Sequence, residues 1–318
     1  MDVIHEILNV VFPVFSIIFF VFLVPTRWFF NLIRLCFKFV YPEELARKVI
    51  LITGASTGIG EHLAIEYAKE GACLILVARR EKQLRMVAKN AKAVGSPDVI
   101  VIPADVSKLE DCNKIVDETI KHFDKIDYLI NNAAIGKFGL FEDLKCLTDH
   151  TSVMDVNFWG SVYTTHFALP HLRKNKGKII AICSCGGWFA TPRVGVYNLQ
   201  NCISQASKAA LLSFFETLRI EVGSYVDILV VTPGMVETNL TDKDWLEEGN
   251  ASWIPKISAQ RCAKAIVNST KRGDKYFTEP SWMKMVLLWK TFCPEILDSI
   301  MNFVFIIWPQ ISQKEKKN

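Results

Sequence analysis

The stretch Lys48-Val-Ile-Leu-Ile-Thr-Gly-Ala-Ser-Thr-Gly-Ile-Gly60, followed by an apolar-periodic run to Lys69, constrains the fold of this chain more than any other segment. Val49 to Ile52 are β-branched and aliphatic without alternation, the pattern of a parallel strand buried on both faces. Glycines then open a helix. Gly54, Gly58 and Gly60 let the backbone bend and come close to a ligand, and the free N–H groups at the positive end of the helix favour a phosphate. The expected element is a strand, a tight turn and a helix N-terminus. The expected occupant is a dinucleotide pyrophosphate, cradled by Gly54, Ser56, Thr57, Gly58, Ile59 and Gly60.

A chain of 318 residues, half of them hydrophobic, can bury a sizeable core. One α/β domain over residues 46–280 is expected, preceded by a membrane anchor over 1–45 and followed by a hydrophobic cap and basic tail over 281–318. Lysine and arginine outnumber the acids only 37 to 33, and no basic stripe is interleaved with aromatics, so no nucleic-acid partner is expected. The nine cysteines are scattered and the six histidines show no zinc-ligand spacing; reduced thiols and no metal are expected.

Ile7 to Val24 is almost wholly apolar, near the minimum of about eighteen residues for a spanning helix. The segment has no basic leader or small-residue cleavage site, which argues against a removed signal peptide. Pro13 and Pro25, with the aromatic and basic residues from Trp28 to Tyr41, leave a hairpin or an interfacial helix open beside a single span. Asp2 and Glu6 precede the apolar run and Arg27, Arg34, Lys38, Arg47 and Lys48 follow it, which predicts a cytosolic C-terminal portion. Sequons at Asn239, Asn250 and Asn268 supply a test, because a glycan on any of them requires the opposite topology. The lysine-rich end, Lys314 to Lys317, reads either as a solvated terminus or as an endoplasmic-reticulum retrieval signal.

Beyond the glycine turn, Cys73 to Ala78 and Val99 to Pro103 read as strands, Leu109 to Phe123 as a helix, and Tyr128 to Ile130 and Lys178 to Ile182 as further strands. Met154 to Leu169 and Ala210 to Glu221 are helical in pattern, and Asp227 to Val231 reads as another strand. Arg79 and Arg80 end the second strand, where NAD sites commonly carry an acid for the ribose 2′-hydroxyl. An arginine there pairs with a 2′-phosphate, so NADP is the expected cofactor, unless the two merely open the next helix as solvated residues.

The order T-G-x-x-x-G-x-G resembles the short-chain dehydrogenase/reductase family, and the resemblance runs from about Lys48 to Thr278. It implies a Rossmann-type doubly wound parallel sheet. It further implies that Asp105 and Val106 approach the adenine, and that Asn132, Ala133 and Ala134, in an N-N-A-A stretch, lie beside the cofactor. Pro233, Gly234 and Thr238 of P-G-M-V-E-T would stand near the nicotinamide carboxamide. Ala134 replaces the family's usual glycine.

The strings N-F-W-G-S-V-Y-T-T from Asn157, A-L-L-S-F-F-E-T from Ala210 and T-E-P-S-W from Thr278 resemble more closely the 11-beta-hydroxysteroid dehydrogenase-like group, including plant steroleosins. That likeness implies a sterol-like substrate and an apolar N-terminus seated on an endoplasmic-reticulum membrane or a lipid droplet. A homodimer is common in the family.

The resemblance assigns Tyr197 as acid/base, Lys208 as the cation that lowers its pKa and holds the nicotinamide ribose, Ser184 as holder of the substrate oxygen, and Asn157 as support for the proton path. The chemistry needs such a set, because tyrosine is too weak an acid near neutrality unless a neighbouring positive charge stabilises its phenolate. In the family the tyrosine and lysine stand four apart. Here they stand eleven apart, and removing Leu199 to Gln205 would restore Y-N-A-S-K. Two outcomes are open: the seven residues loop out, or they add about two helical turns and displace the tyrosine by roughly 10 Å.

Overall fold

The computed structural model describes residues 2–40, 43–136, 151–189, 201–238 and 255–308. The chain divides into two units, Met1–Glu44 and Leu45–Asn318. The first is helix α1, Asp2–Val40, which runs unbroken through Pro13 and Pro25. The prolines therefore do not turn the segment back as a hairpin. Near Pro25, the Thr26 hydroxyl donates to Phe22 O at 2.8 Å. Val3–Phe30, a 28-residue stretch whose most apolar eighteen residues have a mean hydropathy of 2.8, is long and apolar enough to cross a membrane. At 1.5 Å per residue this stretch measures about 42 Å, longer than the ~30 Å hydrocarbon layer of a bilayer.

The second unit is a Rossmann-type, doubly wound α/β fold. Its seven parallel strands are β1 Val49–Thr53, β2 Cys73–Ala78, β3 Val99–Pro103, β4 Tyr128–Asn131, β5 Lys178–Ile182, β6 Asp227–Pro233 and β9 Tyr276–Glu279. They lie in the order β3-β2-β1-β4-β5-β6-β9. A minor pair joins β7, Val236–Glu237, to β8, Ile257–Ser258.

Alternate residues of the central strands feed two cores. Ile50 and Ile52 join Leu74, Leu76 and Ile180 on one face, against α2 Gly58–Lys69, α3 Glu81–Ala93 and α8 Ala259–Arg272. Val49 and Leu51 join Ile75, Val77 and Ile179 on the other, against α4 Leu109–Phe123, α6 Gly160–Lys174 and α7 Asn201–Val222. Strands apolar on both faces have no alternative to this sandwich, which is why they read as continuous hydrophobic runs. The strand order reverses between β1 and β4, and a crevice opens at the carboxyl ends of the strands there.

Two departures from the sequence pattern shape the surroundings of this crevice. The helix expected over Met154 to Leu169 is not regular: a short α5, Thr151–Met154, passes through a π-turn, Asp155–Trp159, before α6 begins. The amphipathic run from Ala210 is the later part of a longer helix, because α7 already starts at Asn201. After β9 the chain forms α9, Lys284–Phe292, and α10, Pro294–Asn302.

Candidate active site

The glycine turn is built by close approach. Gly54 has φ +67° and a β-carbon there would stand 2.7 Å from Ala133 Cα; at Gly60 it would stand 2.3 Å from Gly54 O. No side chain fits either place. Asn132 fastens the two strand ends together, its Nδ2 donating to Thr53 O at 3.0 Å and Gly54 O at 3.2 Å. Thr53 Oγ1 accepts from the backbone N–H groups of Asn132 and Ala133 at 3.0 and 3.1 Å. The neighbouring Asn131 is fully buried and serves α6 instead, bonding Thr164 and Thr165 at 2.8 Å each. Thr57 stands at the N-cap of α2 without making a capping hydrogen bond, so the first-turn N–H groups face the crevice. A cradle that a β-carbon would fill, ending at an uncapped helix, suits a pyrophosphate.

Arg80 lies at the rim of this cradle, its Nη2 donating to Ser56 Oγ at 3.0 Å and Thr57 Oγ1 at 2.8 Å. Arg79 Nη1 is 3.9 Å from Asp105 Oδ2, a loose and exposed pair. Asp105 Oδ1 also accepts from Ser107 Oγ at 2.8 Å, and Val106 packs against Gly160 just after the π-turn. The guanidinium of Arg80 is thus positioned by hydroxyls, with no carboxylate taking up its charge among the described pairs.

Across the crevice, Ser184 follows β5 and its Oγ accepts from Gly186 N at 3.1 Å. Cys183 and Cys185 flank it, but burial pushes their thiols up to about 12 and about 11, which leaves them without nucleophilic thiolate at neutral pH. Lys208 on α7 extends to Ile182 O, with Nζ at 3.0 Å. Burial of that ammonium pushes its pKa below the usual lysine value.

Asn157 sits one layer behind, fully buried in the π-turn. Its Oδ1 accepts from Ile135 N at 2.8 Å, while Nδ2 donates to Ile135 O at 3.1 Å and Ser207 Oγ at 3.0 Å. Ser207 Oγ in turn donates to Ser204 O at 2.6 Å. The extra residue in that turn lets one asparagine reach the β4 loop and α7 together.

Tyr197 lies outside the described residues. Of Leu199 to Gln205, residues Asn201 to Gln205 belong to α7, so this part is helical and does not loop out. Ser204 stands one turn before Lys208, and Ser204, Gln205 and Lys208 all line the crevice.

The crevice is one cavity of about 870 Å³. Its walls include the glycine turn from Gly54 to Ile59, Arg79, Arg80, Asp105, Val106, the Asn132 to Ala134 stretch, Ser184, Lys208, Pro233, Gly234 and Thr238. Gly60 supports the floor from behind, as Asn157 supports the far side. A β-carbon at Gly58 would come within 3.1 Å of Thr238 Cγ2, so the loop after β6 closes against the glycine turn.

The remaining wall is apolar: Trp282 and Met283 precede α9, Val286 lies on it, and Ile300, Met301 and Val304 lie on or just beyond α10. Cys185, Phe189 and Met283 form a small core beneath this wall, and Lys290 Nζ donates to Trp188 O at 2.5 Å, tying α9 to the segment after Ser184. Sequence reasoning missed Thr53, Ile135 and Ser207. Thr53 lies within T-G-x-x-x-G-x-G and was within reach of a closer reading; the roles of Ile135 and Ser207 follow only from the π-turn.

Residues 48–249 match the short chain dehydrogenase family. The 11-beta-hydroxysteroid dehydrogenase-like 3 of Arabidopsis thaliana is 48% identical over 306 residues, 96% of this chain and 97% of its own. The 11-beta-hydroxysteroid dehydrogenase A of Sesamum indicum is 42% identical over 326 residues, 99% of this chain and 92% of its own. A crystal structure of a short chain dehydrogenase/reductase from Burkholderia phymatum in complex with NAD superposes with a TM-score of 0.71 at 22% identity, covering 80% of this chain and 96% of that one. A short chain dehydrogenase from Burkholderia cenocepacia in complex with NADP gives 0.68 at 21% identity, covering 81% and 99%. These two likenesses bear on the fold.

Proposed function

Because this chain belongs to the short chain dehydrogenase family, we propose that its cavity interconverts a hydroxyl and a ketone on a sterol-like substrate with NADP as cofactor. The observation that carries this reading is the continuity of one cavity, from the glycine cradle past Ser184 and Lys208 to the apolar wall at Met283, Val286 and Met301. When bound, the nicotinamide supplies or takes the hydride. The uncapped end of α2 holds the pyrophosphate, Asp105 and Val106 border the adenine, and Asn132 to Ala134, Pro233, Gly234 and Thr238 border the nicotinamide half. Arg80, with Arg79 beside it, meets the 2′-phosphate; a bidentate guanidinium is suited to that group.

Ser184 holds the substrate oxygen. Tyr197 exchanges a proton with it, Lys208 stabilises the phenolate and holds the ribose, and Asn157 keeps the proton path in register through Ser207. The apolar wall takes the hydrocarbon of the substrate. Helix α1 anchors the protein in the endoplasmic-reticulum membrane or on a lipid droplet, with the α/β unit in the cytosol. The test is turnover of NADP(H) and NAD(H) on a panel of hydroxysteroids and ketosteroids, comparing the full chain with one lacking Leu199 to Gln205. Turnover by the full chain with NADP preferred supports the reading; absence of turnover in both forms sinks it.

A second reading, a catalytically silent NADP-binding protein of a lipid surface, has one observation in its favour. Asn201 to Gln205 are helical, and the residue one turn ahead of Lys208 is Ser204, whose hydroxyl does not replace a tyrosine as acid/base. Turnover by the shortened chain alone selects this reading.

A further inference from the structure

Two polar residues of the interruption face the cavity and have no part in the proposed reaction. Ser204 shares a helix face with Lys208, four residues on, and its backbone is fixed from behind by Ser207 and Asn157. Gln205 comes in over Gly186. The point where a β-carbon of residue 186 would stand is 3.4 Å from Gln205 Cγ and 3.5 Å from Ser184 Oγ, so glutamine and serine are neighbours across a residue with no side chain to part them.

We propose that Ser204 and Gln205 form, with Ser184, a polar subsite that recognises an oxygen function on an otherwise apolar ligand. Two hydroxyls and one carboxamide can donate to a carbonyl or both donate to and accept from a hydroxyl. Neither added side chain exchanges a proton near neutrality, so the subsite selects and orients, and the proton chemistry lies elsewhere. An oxygen function on the ligand adds hydrogen bonds to this polar group that the parent hydrocarbon cannot make. The interruption that separates Tyr197 from Lys208 is thereby also a specificity element. This inference rests on the proposed function for the ligand class only, and not on turnover.

The test uses the full-length protein in detergent, saturated with NADP, with ligand binding read from tryptophan fluorescence. The probes are androstan-3-one, androstan-17-one and the parent hydrocarbon androstane. The unmodified protein is expected to bind at least one ketone about tenfold or more tighter than androstane, a factor of ten corresponding to about 1.4 kcal/mol. In the double variant S204A/Q205L the ketone affinity falls about tenfold and androstane affinity stays within twofold, while Gln205→Asn retains part of the preference.

NADP affinity measured on the same samples verifies that each variant is folded. Unchanged ketone preference in the folded double variant overturns the proposal, as does equal loss for ketone and hydrocarbon, or no preference in the unmodified protein. Selective loss without turnover supports the subsite and counts against the reaction. Turnover with unchanged preference does the reverse.

Discussion

On the nucleotide side of the cavity, a β-carbon at Gly60 would stand 2.5 Å from Asn132 Nδ2 and 2.3 Å from Gly54 O; on the opposite side, Val286 and Met301 meet the cavity with partly buried side chains. The first wall is backbone against backbone, pinned by Thr53 and Asn132. The second is side chain against side chain on two short helices. A backbone wall has one shape and holds an invariant ligand, whereas a wall of methionine and valine can repack around different hydrocarbons.

If this contrast is right, the greatest damage comes from the smallest substitution. Gly60→Ala is expected to cost about 3 kcal/mol or more in urea unfolding and to abolish nucleotide binding, since the nearest contacted atom is the backbone Gly54 O, which cannot give way. A loss below about 1 kcal/mol would show that the cradle is softer than its geometry implies. Asn157→Ala comes next, at about 2–3 kcal/mol, because it removes the side-chain partner of the partly buried Ile135 N–H and C=O and one partner of Ser207. Stability without this loss would mean that the π-turn is not held by its asparagine.

Arg80→Ala tests the rim of the same wall without touching its backbone. NADP affinity should fall about tenfold by calorimetry, with NAD changed less than twofold and unfolding unaffected. Equal loss for both nucleotides would remove the arginine from cofactor choice. Met301→Ala probes the side-chain wall, and about 1 kcal/mol is expected, at the low end for such truncations because the residue is only partly buried.

The smallest effect at neutral pH concerns Lys208. Its folded pKa is lowered by burial, so between that value and the unfolded lysine value of 10.5 the unfolded chain binds more protons and stability rises with pH. In Lys208→Met this rise disappears, seen as a flatter stability profile on the alkaline side; a parallel profile contradicts the buried-ammonium picture.

The same contrast separates what was legible in the sequence from what was not. Strands β2, β3 and β5 and helix α4 carry their boundaries in uninterrupted apolar runs or in a clear 3.6-residue period, and the structure returns them as expected. The cradle was legible for a related reason: glycines that must be glycines leave a fixed spacing. The turn around Asn157 left no such mark. V-N-F-W-G satisfies an ordinary helical pattern, and one additional residue in a turn depends on Ile135 and Ser207, distant in sequence. The apolar wall was legible as a hydrophobic cap over 281–318, but not as a wall, because which of its residues meet Ser184 and Lys208 depends on how α9 and α10 pack. Of the three sequons, Asn268 proves a poor reporter of topology, as it lies within α8 with Ser269 and Thr270 fully buried.

Helix α7 also carries a consequence of pure rotation. Seven residues fall about 20° short of two full turns. An insertion of that length in a helix therefore changes reach far more than facing, and a deletion of that length brings every preceding residue back at almost its former azimuth. Excising seven residues within α7 ahead of Lys208 would shorten the helix by about 10 Å while leaving Lys208, Leu211 and Phe215 presented as they are now. The helix behaves at this point like a screw that can be advanced by two threads without altering which way its slot points.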